Sequence, residues 1–70
     1  MKVGDLIKTR NYDAVVPTGT HGIITKVVWK DFVDEDYTIV KVQLMIDPPI
    51  VDGNRLNFAC MQLKVVSASR

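Results

Sequence analysis

Residues 37–45 read Tyr37-Thr38-Ile39-Val40-Lys41-Val42-Gln43-Leu44-Met45. In an extended chain Val40, Val42 and Leu44 point one way and Lys41 and Gln43 the other, because successive strand side chains alternate between faces. This period of two predicts a strand over 37–45 with one face in a core and the other in water. Asp47-Pro48-Pro49 ends it, since proline gives no N–H to a ladder and restricts the residue before it.

The same signal recurs, more weakly, on both sides. Val3–Thr9 reads as a first strand, with Leu6 its clearest inward residue. Arg10–Thr20 reads as a loop, because Asn11, Asp13, Pro17, Thr18 and Gly19 favour turns. A second strand is expected from Gly22 to Trp29, followed by an acidic connection from Lys30 to Asp36. Beyond the prolines, Ile50-Val51 is a brief extension and Asp52-Gly53 a turn in which glycine takes a positive φ. Arg55–Cys60 is a fourth strand with Leu56, Phe58 and Cys60 on one face and Asn57 and Ala59 on the other. Met61-Gln62-Leu63 fits a 3₁₀ turn. Lys64–Ser67 is the last strand, and residues 68–70 are a frayed tail. The expected core is Leu6, Ile24, Val27, Val40, Val42, Leu44, Phe58 and Leu63. No window sustains amphipathic helical spacing.

The expectation is therefore an all-β chain: one domain over residues 1–70, with five short strands closed into a small barrel. Closure removes the exposed edges that so short a sheet would otherwise present.

Composition agrees and narrows the function. The chain has 70 residues, 47% hydrophobic and 24% charged, which is a folded profile and not a disordered one. A core this small leaves little volume for a large cofactor or a deep substrate pocket. Charge is uneven along the chain. Residues 1–30 carry Lys2, Lys8, Arg10, Lys26 and Lys30 against Asp5 and Asp13, or +3. Residues 31–52 carry Asp31, Asp34, Glu35, Asp36, Asp47 and Asp52 against Lys41, or −5. Arg55, Lys64 and Arg70 add +3, for a net +1. Near-neutrality argues against a strong non-specific nucleic-acid binder. Cys60 is the single cysteine, so no internal disulfide is expected. No apolar run follows Met1-Lys2-Val3-Gly4-Asp5, and no stretch approaches the roughly 18–20 apolar residues of a membrane span. The expectation is a soluble, cytoplasmic protein.

Two stretches and the chain's ending resemble one barrel family. Val3-Gly4-Asp5-Leu6-Ile7-Lys8 is similar to the opening of many bacterial Src-homology-3-like barrels, where a Gly-Asp turn precedes the first strand. Gly19-Thr20-His21-Gly22-Ile23-Ile24-Thr25-Lys26-Val27 resembles the KOW motif, in which a glycine opens a strand with apolar residues two and five places on. Here these are Gly22, Ile24 and Val27, and the spacing of three between the last two implies a bulge. Phe58-Ala59-Cys60-Met61-Gln62-Leu63-Lys64-Val65-Val66 resembles the fourth strand, 3₁₀ turn and last strand of the same barrel. The resemblance implies a five-stranded Src-homology-3-like small barrel with a 3₁₀ turn before the last strand. Barrels of this kind include KOW-type ribosomal and transcription proteins, which bind RNA or proteins. They also include small photosynthetic accessory subunits that support docking without catalysis.

Candidate sites divide by chemistry. His21 is the only histidine, and with one distant cysteine it makes no zinc site. Cys60, on the Leu56–Phe58 face, reads as a small buried hydrophobe. The glycines form no phosphate-binding loop. With no catalytic constellation, an enzyme is not expected, nor a metal, a cofactor or a small-molecule substrate. The leading expectation is a protein-binding accessory module. Its contact residues would be Phe32, Val33, Asp34, Glu35, Asp36 and Trp29, with charges steering and apolar residues anchoring. The bland alternative is that Phe32 folds back onto Trp29 or Tyr37 and caps the barrel. The second expectation is an RNA- or DNA-binding module with Arg10, Lys26, Lys30 and Arg55 on phosphates, Trp29 or Tyr12 on bases, and His21 beside them.

Overall fold

A computed structural model describes residues 1–10, 16–47 and 52–68. Five strands, β1 (Leu6–Thr9), β2 (His21–Trp29), β3 (Ile39–Leu44), β4 (Arg55–Ala59) and β5 (Leu63–Ser67), form one antiparallel sheet in the order β4-β3-β2-β1-β5. Among the described residues there is no α-helix, and three 3₁₀ turns occupy Glu35–Tyr37, Asp52–Asn54 and Cys60–Gln62. The sheet is not closed: among the described residues no ladder joins the edge strands β4 and β5. Only the Cys60–Gln62 turn links them in the chain, one residue earlier than its expected position. Tyr12 and the other residues of 11–15, Pro48-Pro49, Ile50-Val51 and the end of the tail lie outside the described residues.

The alternation of β3 sets the register. Val40, Val42 and Leu44 are buried, facing Phe58 and Leu56 of β4 on one side and Val27, Ile24 and Gly22 of β2 on the other. The expected bulge is present: the β2–β3 register shifts between Ile24 and Lys26, so Thr25 is the extra residue. A second shift between Val27 and Trp29 was not legible in the spacing. The extra residues turn the strand, and Val27 ends up half-buried, not at the heart of the core.

The first strand corrects the expected phase. It begins at Leu6, because Val3 and Gly4 form the turn before it, with Gly4 at φ 92° and the Lys2 N–H held by Asp5 Oδ2 at 2.9 Å. Ile7 and Thr9 are buried, and Leu6 is half-buried on the opposite face. Leu6 and Ile7 are equally apolar, so pattern alone did not separate them. The inward polar position is tolerated because Thr9 Oγ1 donates to the Pro17 carbonyl at 2.8 Å and accepts from the Thr20 N–H at 3.1 Å. The core comprises Ile7, Val16, Ile24, Val40, Val42, Leu44, Phe58, Cys60 and Leu63. Val16 comes from the β1–β2 connection, where turn residues hid it.

Candidate functional site

Two surfaces carry the side chains of interest. The first is the β2–β3 connection, built by its own carboxylates. The Asp31 N–H donates to Thr38 Oγ1 at 3.1 Å, closing the base of the loop. Asp31 Oδ1 then accepts from the N–H groups of Val33 (2.8 Å) and Asp34 (3.0 Å). Asp34 Oδ1 accepts from the Asp36 N–H at 3.0 Å and starts the 3₁₀ turn Glu35–Tyr37. Asx side chains favour such turns because they offer the backbone a local acceptor. Glu35 Oε1 accepts from the Met1 ammonium at 3.1 Å. Below the loop, the Cys60 N–H donates to the Thr38 carbonyl at 2.9 Å. The acidic residues therefore organise the loop and do not merely repel one another.

This scaffold holds apolar side chains outside. Phe32 is 89% exposed and Val33 97%. Phe32 does not cap the sheet: its ring centroid lies 6.0 Å from Lys30 Nζ, which is a cation–π contact at its outer limit. Trp29 and Tyr37 flank the loop and are also exposed.

The second surface is the outer face of the sheet, opposite the core. Its register places Lys64, Lys8 and His21 in one row across β5, β1 and β2. The next row holds Leu6, Ile23, Gln43 and Arg55. Then come Lys26, Lys41 and Asn57, and last Trp29, Ile39 and Ala59 beside the acidic loop. Arg55 Nε donates to Gln43 Oε1 at 3.0 Å, and Gln43 Nε2 donates to the Gly53 carbonyl at 2.6 Å, which fixes the guanidinium.

Of the six basic-side candidates, the sheet brings His21, Lys26 and Arg55 together. Arg10 is exposed just past β1, and Lys30 belongs to the loop. Lys8, Lys41 and Lys64 were missed, because only the register puts Lys8 beside Lys64 and Lys41 beside Lys26. Cys60 is buried, and burial, reinforced by the Glu35 carboxylate, pushes its thiol above the ordinary range. That is the reverse of an activated nucleophile. Among the described residues no group of His, Cys, Asp and Glu side chains is placed to hold a metal ion, and no helix is long and apolar enough to cross a membrane. Comparison with protein-family models, with curated proteins and with solved structures gives no match in any of the three.

Proposed function

We propose that this chain is a non-enzymatic protein-binding module, an accessory piece that docks onto a larger assembly through the 31–36 loop. One observation carries the proposal. Phe32 and Val33 are adjacent, apolar and almost wholly exposed on a loop in which the Val33, Asp34 and Asp36 N–H groups are held by its own carboxylates. Burying neither residue forgoes roughly 1.5–3 kcal/mol each of hydrophobic stabilisation. A scaffold that nevertheless keeps them outside has paid the ordering entropy of binding in advance. Trp29 extends the apolar patch, and Asp34, Glu35 and Asp36 form a charged rim that steers a basic partner. The strand order, the bulges in β2 and the 3₁₀ link between the edge strands support a small Src-homology-3-like barrel as the carrier of this loop.

The test is capture from the source cell with nuclease present, using the parent chain and the Phe32→Ser, Val33→Ser double variant. A partner that is retained by the parent and lost by the variant, at an unchanged melting temperature, supports the proposal. Equal retention by both chains removes the loop as the docking site.

A further inference from the structure

The five strands contain Lys8, Lys26, Lys41, Arg55 and Lys64 but no aspartate or glutamate. A lysine does not face an apolar core unpaired, so the alternation sends all five to the outer face. There Lys26 lies directly opposite Lys41, and Lys8 lies between Lys64 and His21. Like charges directly opposite on neighbouring strands destabilise a sheet. A face selected for stability alone would interleave the signs, and this one does not. The arrangement becomes favourable when a polyanion lies across it.

We propose that the outer sheet face binds single-stranded nucleic acid, with Lys8, Lys26, Lys41, Lys64 and Arg55 on the phosphates and Trp29 stacked on a base. Three features select this ligand. The charges form a track and not a point: from the Lys8–His21 row to the Trp29–Ile39 row the face runs about 20 Å along β3 at roughly 3.3 Å per residue. Leu6 and Ile23 lie between the basic rows, and Ile39 and the 55% exposed Trp29 lie at the end of the track, so bases meet apolar and aromatic side chains while phosphates meet cations. Bases are available to such a platform only when unpaired, and the strand residues of this face include no helix or ribbon that would enter a duplex groove. The carboxylates of the 31–36 loop lie past Trp29 and repel phosphates, which ends the track there. The site shares Trp29 with the docking patch but makes no use of Phe32 or Val33.

Trp29 is the only tryptophan of the chain, so its fluorescence reports this face directly. The full chain is titrated with oligo(dT) and oligo(rU) of about twelve nucleotides, with the matching duplex, and with heparin as a polyanion without bases. The expected result is saturable quenching by the single strands, weaker binding of the duplex, and affinity that falls with salt. Lys26→Gln with Lys41→Gln should weaken binding at least about tenfold and flatten the salt slope by about 1.4, the share of two phosphate contacts. Trp29→Leu, which removes the reporter and is therefore followed by the anisotropy of a dye-labelled oligonucleotide, should weaken binding by about tenfold at an unchanged slope. The lysine variants relieve a like-charge pair, so they fold at least as well as the parent, and thermal melting verifies this. The Phe32→Ser, Val33→Ser variant should bind the oligonucleotides like the parent, which separates failure here from failure of the docking loop. The proposal is overturned if the single strands leave Trp29 unquenched, if heparin binds while they do not, if the duplex binds more tightly, or if the lysine variants bind unchanged.

Discussion

In the stem of the β2–β3 hairpin, Ile24, Val40 and Val42 are completely buried, while at its tip Phe32 and Val33 stand in water. Both regions are tightly hydrogen-bonded, the stem by its ladder and the tip by Asp31, Asp34 and Thr38. They differ in what the hydrogen bonding serves. In the stem it brings apolar faces of several strands together, so backbone order and hydrophobic burial reinforce one another. At the tip it orders the backbone with no apolar return. Order without burial adds little to folding, which is the reason for proposing the tip as a binding surface.

The largest expected effect falls on the stem. A Cβ at Gly22 would lie 2.5 Å from Val42 Cγ1 and 2.8 Å from the Gln43 carbonyl oxygen. Neither can yield easily, because Val42 is fully buried in the core and the carbonyl belongs to the backbone of the paired strand β3. Gly22→Ala should therefore cost about 3 kcal/mol, at the upper end of overpacking, read as a shift in the urea midpoint. A parent-like midpoint would break the contrast at its strongest point. Val42→Ala should follow at about 1–3 kcal/mol through lost transfer energy and a residual cavity.

At the tip the same chemical change should do little. Phe32→Ala with Val33→Ala is expected to stay within about 0.5 kcal/mol of the parent, like other exposed substitutions. Asp31→Ala removes the acceptor of two N–H groups and should fray the loop locally. Its signature is faster amide exchange at Val33 and Asp34 with slow exchange retained at Val40 and Val42. A comparable loss in the stem amides would mean that tip and stem are one cooperative unit.

The smallest effect is a pH dependence where the two regions meet. Cys60 is buried under the loop, and its thiol is raised first by desolvation and then by Glu35. The folded state therefore holds the thiol proton more tightly than the unfolded chain, whose ordinary value is 9.0. This contribution is fully present below that value and is lost as pH rises through the higher folded one. Melting temperature should decline in alkali, and Cys60→Ala should flatten the decline. An identical decline in the variant would assign it to other groups.

Much of the architecture was legible because period-two alternation leaves few choices. Val40, Val42 and Leu44 had only one face to share, and the spacing of Gly22, Ile24 and Val27 required an extra residue. Leu6 and Ile7 were ambiguous because two adjacent apolar residues fit either phase, and the choice was made by their partners, Ile23 and Gly22. Val16 was hidden among turn formers. The loop's apolar pair was visible as Phe32-Val33 amid acids, but whether Phe32 capped the sheet was decided by Asp31, whose carboxylate curls the backbone locally and aims the ring away.

The charge reading divides the two levels most sharply. A near-zero net charge argued against a nucleic-acid face, because composition sums charges without regard to position. The sequence by itself determined that the chain is β-rich, which β3 residues enter the core, and that acids crowd one connection, all of which follow from local alternation and propensity. Only the tertiary structure decided that Lys8 stands between Lys64 and His21, that Lys26 faces Lys41, and that all of them share one side of the sheet. The physical reason is that strand pairing joins residues far apart in the chain, and the field at a surface depends on which charges are neighbours and not on their total.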